Sequence, residues 1–164
     1  VRATDLRPTV VVAGFGSEYR LDDGVGPLVA SLVAKRCAMV RDIGPLADPL
    51  DLLGNWNGAA LAIVVDAVRS GARPGTVSHF EIDVRLDDGL DVPSQHERGV
   101  TSTHGIGLEG VLRLASVIDQ APHRLMLVGI EGASFGNGVG LSPAVQVAVP
   151  GAVQLVVDLI AEVT

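Results

Sequence analysis

Three stretches of this chain are apolar without alternation: the one around Val10-Val11-Val12-Ala13, the one from Ala60 to Val65, and the one from Leu125 to Ile130. Each is too short for a fully buried helix and reads as a strand covered on both faces, the signature of a parallel sheet flanked by helices. Helical patterns fall between them, and the strand ranges read as 9–15, 38–43, 60–67, 76–82 and 124–130. After the first strand, Val25, Leu28, Val29, Leu32 and Val33 mark one stripe of a helix over 24–37, with Pro27 in its first turn. Asp48-Pro49 predicts a capped short helix with Leu50, Leu53 and Trp56 turned inward. The linker "RSGARPG" is too short for a crossover helix, so strand 76–82 is expected to be an antiparallel edge strand. A helix is expected from near His104, with Leu108, Val111, Leu112, Ala115 and Ile118 on its apolar face. Ser142-Pro143 opens a last helical region that Pro150-Gly151 should kink or break. The alternation predicts an α/β domain with a mostly parallel sheet between helical layers, spanning 1–164 as one unit.

The chain has 164 residues, 48% hydrophobic but only 3% aromatic, so the core must be built from Val, Leu, Ile and Ala. Twelve basic against 19 acidic residues give a formal charge of −7. An acidic chain without a basic block argues against nucleic acid and anionic lipid and favours a cationic partner. Cys37 is the single cysteine, which excludes an internal disulfide and a thiolate zinc cluster. No uninterrupted apolar run long enough to span a bilayer is read, and Val1 to Pro8 lacks a signal-peptide core, so a soluble, cytoplasmic monomer with no membrane contact is expected.

The segment "GFGSEYRLDDGVG", residues 14–26, resembles a nucleotide-binding turn but fails its requirements. Gly14 and Gly16 supply two glycines of the dinucleotide pattern, and Tyr19 stands where the third is needed. No Gly-Lys-Ser/Thr follows, and Asp42 alone is a poor substitute for the ribose-binding acid. Glu18, Asp22 and Asp23 would repel phosphate. One of the two aspartates is expected to cap the following helix; the other is available for chemistry.

In open parallel sheets ligands bind beyond the carboxyl ends of the strands. Asp23 lies after the first strand, Asp66 ends the third, and His104 opens the helix before the last. Two carboxylates and an imidazole from separate loops form a divalent-metal site suited to nickel or zinc, with positions left for substrate or water. The residues alone leave the plainer reading open, in which Asp66 caps a turn and His104 is a solvated loop residue. His79, His96 and His123 are assigned no role, and Glu131 is a candidate fourth polar group of the site, although an ordinary loop acid is the plainer reading. The long polar segment 83–103 is expected to be functional or mobile.

The motifs "GFGSEYRLDDGVG" (14–26), "AIVVDAVRSGARPGT" (62–76), "TSTHGIGLEGVLRLA" (101–115) and "LVGIEGASFGNGVGLSPAV" (127–145), in this order and spacing, resemble those of the hydrogenase maturation proteases. The resemblance covers nearly the whole chain. It implies a three-layer α/β/α sandwich of the phosphorylase/hydrolase-like kind, with a five-stranded sheet. It implies an endopeptidase that trims the C-terminal extension of a [NiFe]-hydrogenase large-subunit precursor. The family's two metal-contacting acids fall on Asp23 and Asp66 and its histidine on His104. The resemblance further implies that nickel arrives inside the precursor, that no organic cofactor is used, and that one carboxylate, Asp23, is a candidate general base. Ser17 replaces the family's usual Asn, and "DIGPLADPLDLL" replaces a Gly-Gly-Thr type of loop, both at the presumed cleft. Two further function classes fit the same residues: a non-enzymatic nickel-binding checkpoint protein, and an unrelated metal-dependent hydrolase of small molecules.

Overall fold

The strands form one sheet in the order β2-β1-β3-β5-β4. The structure, a computed structural model, describes residues 9–84 and 107–164. β1 is Val10–Phe15, β2 Val40–Leu46, β3 Leu61–Val68, β4 Val77–Ile82 and β5 Leu125–Glu131. The first three and β5 run parallel, and β4 pairs antiparallel with β5 at the edge, as the short linker predicts. Every residue of β1 is buried, and β3 is buried except for Asp66, which is half-buried. These are two of the three non-alternating runs, and they lie inside the sheet where both faces are covered.

Alternate side chains feed two cores. Val10, Val12, Leu61, Ile63, Val65 and Val128 pack beneath α1 (Val25–Arg36) and α3 (Pro143–Ala161). Ala13, Phe15, Ala62 and Val64 face the other way, against α2 (Leu108–Val117), Leu52 and Trp56. The result is the expected sandwich of helices on both faces.

Several local expectations are corrected. The buried face of α1 is Val25, Gly26, Val29, Ala30 and Val33, while Leu28 is 40% exposed. Small residues lie on the inner face because the helix sits close to the sheet, which turns the bulkier leucine out. The Asp48 carboxylate does cap its segment, accepting from the Leu50 N–H at 2.9 Å, but the turn Pro49–Leu52 is a 3-10 helix. Its tighter winding buries Leu52 and leaves Leu50 exposed. α2 begins at Leu108 with Gly107 before it, and Ile118 lies past its end and is exposed. β2 extends to Leu46 through Pro45, tolerated because an edge strand needs no donor on its outer side.

α3 runs unbroken through Pro150. Pro150 and Gly151 both face solvent, where water can satisfy the carbonyl that proline leaves unbonded. Val145, Val149, Ala152, Val153, Val156 and Ile160 hold both halves to the sheet. By length and composition α3 is also apolar enough to cross a bilayer, although Gln146, Gln154 and Asp158 interrupt its apolar run; here its apolar stripe packs in the core.

Candidate functional site

The chain leaves β1 toward β2 on one side and returns to β3 on the other, so the carboxyl ends of β1 and β3 bound the topological switch point. Asp23 and Asp66 flank it. Asp23 belongs to the 3-10 turn Leu21–Gly24 that joins β1 to α1, and that turn packs against β3. Asp66 is the sixth residue of β3, and by alternation its side chain shares the α2 face with Val64 and Val68.

The glycines of the opening motif serve this approach. A Cβ on Gly14 would lie 2.4 Å from the Gly26 carbonyl carbon and the Pro27 nitrogen, and one on Gly26 would lie 2.5 Å from the Phe15 and Val65 carbonyl oxygens. The first turn of α1 therefore rests directly on the backbones of β1 and β3. Gly16 has a φ of +118°, and a Cβ there would fall 1.9 Å from the Asp23 carbonyl oxygen. Close backbone packing, not phosphate binding, accounts for all three.

Neither aspartate caps α1, whose N-cap residue is Gly24 without a side-chain cap bond. The two have separate work. Asp22 is fully buried and accepts four hydrogen bonds: from Ala133 N–H at 2.8 Å, Ser134 N–H at 2.9 Å, Ser142 N–H at 2.6 Å and the Ser142 hydroxyl at 2.9 Å. It ties the site turn to the loop after β5 and to the start of α3. Burial pushes its pKa up, but the donated bonds of Ser142, Ser134 and Ala133 outweigh that, and the net shift is downward.

Asp23 is 1% exposed. Its Oδ2 accepts from the Ser17 N–H at 2.9 Å, and its Oδ1 is buried with no hydrogen bond among the described residues. A buried carboxylate oxygen left without a donor is costly unless a cation or a further donor meets it. Asp66 also keeps an oxygen, Oδ1, away from water. The structure thus places Asp23, in the turn after β1, and Asp66, in β3, at the same carboxyl edge of the sheet. His104, together with His96 and nearly all of segment 83–103, lies outside the described residues. Among those described, no three His, Cys, Asp or Glu side chains gather as a metal cluster. A pair of carboxylates suits a hard divalent cation, and an imidazole would shift it toward nickel or zinc.

Asp42, the candidate ribose acid, accepts from the Gly44 N–H at 2.8 Å and closes a local turn in β2. Glu131 is not a loop acid. It ends β5, is 4% exposed, and accepts from Ser70 N–H, from the Ser70 hydroxyl at 2.7 Å and from Gly71 N–H at 3.1 Å. It thereby clamps the turn that follows Asp66. The signal available in the sequence was its position at the end of an apolar run, before Gly132. Next to it the Arg69 guanidinium lies 4.1 Å from the centre of the Phe135 ring.

An apolar cleft opens beside Asp66 on the α2 face. Phe15, Pro49, Val64, Phe80, Leu108 and Leu127 line it, and about 40 Å³ of it is open to the centre of a water molecule.

A family model described as HycI, hydrogenase maturation protease, matches residues 35–159. The match takes in Asp66 and His104 and starts beyond Asp23. The chain is 30% identical over 143 residues to Protein FrxA of Pyrococcus furiosus, covering 86% of this chain and 97% of that one. It is similar to a hydrogenase 2 maturation peptidase of a Thaumarchaeota archaeon, at 33% identity and a TM-score of 0.64 over 93% of this chain and 98% of the other. The fold also matches the [NiFe] hydrogenase maturation protease HybD of Thermococcus kodakarensis, with a TM-score of 0.74 at 24% identity, over 92% and 98% of the two chains.

Proposed function

Because this chain belongs to the hydrogenase maturation protease family, a family of endopeptidases, we propose that it removes the C-terminal extension of a [NiFe]-hydrogenase large-subunit precursor once nickel is in place. Family membership favours a peptidase over the checkpoint protein and the small-molecule hydrolase. The observation that carries the finer reading is the Asp23 carboxylate. One oxygen is fixed by Ser17 N–H, and the other is buried without a donor among the described residues, in the turn at the switch point. That is the condition of a ligand waiting for a cation.

Nickel is here part of the substrate. Asp23, Asp66 and His104 would hold it by completing the coordination that the precursor begins, so a precursor without the ion would bind weakly and stay uncut. Bound at this edge, the ion supplies Lewis acidity to the nearby carbonyl, an effect worth several kcal/mol in general. The chain's own contribution is placement. Ser17 N–H fixes the rotation of the Asp23 carboxyl group, and the packed glycines fix its height above the sheet. If Asp66 and His104 hold the ion, the Asp23 Oδ1 is instead the candidate general base, since it has no competing donor among the described residues.

The test is incubation of the protein with nickel-loaded and nickel-free precursor, followed by intact-mass spectrometry. Release of the extension from the loaded form alone is expected. Asp23→Asn, Asp66→Asn and His104→Ala should each reduce release at least about 100-fold, in the range seen when a positioned catalytic group is removed. Normal cleavage by any of the three would remove that residue from the site, and equal cleavage of the nickel-free form would end the nickel-reading account.

A further inference from the structure

We infer that the uncharged face formed by Tyr19, Val139 and the first turns of α3 is the surface on which the large-subunit precursor docks as a folded body. The inference rests on the endopeptidase reading and names where the substrate is held, apart from the bond that is cut.

Among the described residues, four large apolar side chains are more than half exposed: Tyr19 at 67%, Val117 at 84%, Val139 at 75% and Val147 at 81%. Val117 ends α2, which leads into β5, so it lies toward the amino edge of the sheet. The other three share the opposite edge. Tyr19 lies in the turn after β1, and its carbonyl accepts from the Gly138 N–H at 2.9 Å. Val139 follows directly, and α3 opens at Pro143 with Val147 in its second turn. Residues 132–157 include no charged residue, in a chain that is 19% charged. Exposed Arg20 and Glu18, beside Tyr19, and Arg73, beside α3, stand at the margin. A charge-depleted centre with an exposed aromatic, rimmed by polar groups, is how a protein interface differs from ordinary surface.

The face is shaped as well as apolar. An open groove runs between the turn 73–76 and the start of α3, lined by Pro74, Pro143, Ala144 and Val147, and Arg73 is the only charged residue of its lining. Gly75 makes this fit possible. It has a φ of +84°, and a Cβ there would fall 2.6 Å from the Ala144 carbonyl oxygen, so the turn rests directly on the helix. Its N–H donates to the Glu131 carbonyl at 2.8 Å, which ties the turn to the sheet. The groove is thus formed before a partner arrives, which lowers the ordering cost of binding.

The occupant follows from continuity with the candidate site. Ser142, one residue before the groove, donates its N–H to Asp22 at 2.6 Å, and Asp22 adjoins Asp23. A folded polypeptide that presents an ion to Asp23 meets this face next. Charge agrees: the chain as a whole carries −7 and repels acidic partners, whereas this face offers Arg20 and Arg73 against Glu18 alone. An apolar patch edged with carboxylates complements it. A membrane fits less well. Farther along α3 the exposed residues include Pro150, Gly151, Gln154 and Asp158, so the large apolar exposure is confined to the end near the site.

The test is titration calorimetry of purified precursor, nickel-loaded and nickel-free, against wild type, Val139→Glu, Val147→Glu and, as a control at the amino edge, Val117→Glu. All three positions are exposed, so the Tm of each variant should match wild type. Val139→Glu and Val147→Glu should each weaken binding at least about tenfold, by the same factor with and without nickel, because neither touches the ion. Val117→Glu should bind as wild type does. In cleavage of the loaded precursor, KM should rise by that factor while kcat stays, the mark of binding lost equally from ground and transition states.

Weakened binding of a precursor that wild type holds but never cuts would uphold the face, and the endopeptidase reading would fall alone. Normal cleavage with unchanged affinity in both variants would overturn the face alone. An equal loss in Val117→Glu would overturn it as well. Self-association of wild type, or its binding to phosphatidylglycerol vesicles, that Val147→Glu abolishes while precursor binding persists would assign the face to a second copy or to a membrane instead. No binding of either precursor form to wild type would end both readings.

Discussion

Replacing Asp22 with asparagine should destabilise the fold without touching the chemistry, and the size of the effect can be worked from the contacts. Asp22 receives four hydrogen bonds, from Ala133, Ser134 and, twice, Ser142. The asparagine Oδ1 can keep those on one side. With that oxygen in the Oδ2 position the bonds from Ala133, Ser134 and the Ser142 hydroxyl are kept without their charge assistance, while the amide group faces the Ser142 N–H, so one charge-assisted bond is lost outright and one donor is set against another. Bonds to a charged acceptor contribute roughly 1.5–3 kcal/mol each. The lost bond, the opposed Ser142 N–H and the weakening of the three retained bonds together amount to about 3 kcal/mol. For a chain of this size that is a fall in Tm of roughly 6–12 °C. The pH dependence gives an independent check. The folded pKa of Asp22 lies below its ordinary value of 3.8. Its stabilising contribution is therefore complete above 3.8 and is lost as pH falls through the lower folded value. Thermal unfolding followed by circular dichroism should show a constant gap between wild type and Asp22→Asn at neutral and mildly acid pH. The gap should narrow only below about pH 4. A Tm change within about 2 °C, or a gap unaltered down to about pH 2.5, would refute the assignment of Asp22 as a charged structural tie.

Other expectations follow from neighbouring contacts. Asp23→Asn, one residue along, should leave Tm unchanged or slightly raised while processing is lost, because it removes a buried charge that holds only the Ser17 N–H among the described residues; a large drop in Tm would make Asp23 structural. Gly14→Ala should cost about 3 kcal/mol in urea unfolding, since its Cβ meets the backbone of Gly26 and Pro27 rather than a movable side chain; an unchanged midpoint would show that α1 can lift off the sheet freely. Glu131→Gln should speed amide exchange at Ser70 and Gly71 and lower stability by about 1–2 kcal/mol; unaltered protection of both amides would dismiss the clamp.

Much of this architecture was legible in the sequence because it rests on patterns local to the chain. Unbroken apolar runs located β1, β3 and β5, and the short linker before Val77 required an antiparallel β4. The same alternation located Asp23 and Asp66 at the switch point. What escaped depended on partners far away in sequence. Asp22 and Asp23 are chemically identical neighbours, and only the loop 111 to 120 residues later separates their roles. Glu131 reaches back 61 residues to Ser70, which no local pattern records. Leu28 and Leu50 were placed inside by periodicity, but the closeness of α1 to the sheet and the 3-10 winding after Asp48 turned them out. Pro150 misled for the opposite reason: its local rule was sound, but its solvent-facing position made the lost bond cheap.

On the proposed reading of Asp23 as a ligand for the precursor's nickel, the carboxylates of the glycine-rich turn form one device with two halves. A carboxylate ready to bind a cation must be kept dehydrated and unpaired, and such a group pushes its own loop toward water. Something has to hold the loop down. Asp22 does so with four bonds to segments that are themselves anchored, Ser134 beyond β5 and Ser142 at the head of α3. Gly14, Gly16 and Gly26 remove every Cβ that would keep the turn off the sheet. With the loop fixed from one aspartate, the other can remain one donor short at the carboxyl edge of the sheet. The arrangement would fail with either half missing: without Asp22 the turn would rise and hydrate Asp23, and without the glycines it could not descend far enough to bury it. That dependence predicts that Asp22→Asn, besides lowering Tm, should reduce processing of a nickel-loaded precursor even at temperatures where the variant is fully folded. Full activity of a folded Asp22→Asn protein would mean that the Asp23 carboxylate needs no such restraint.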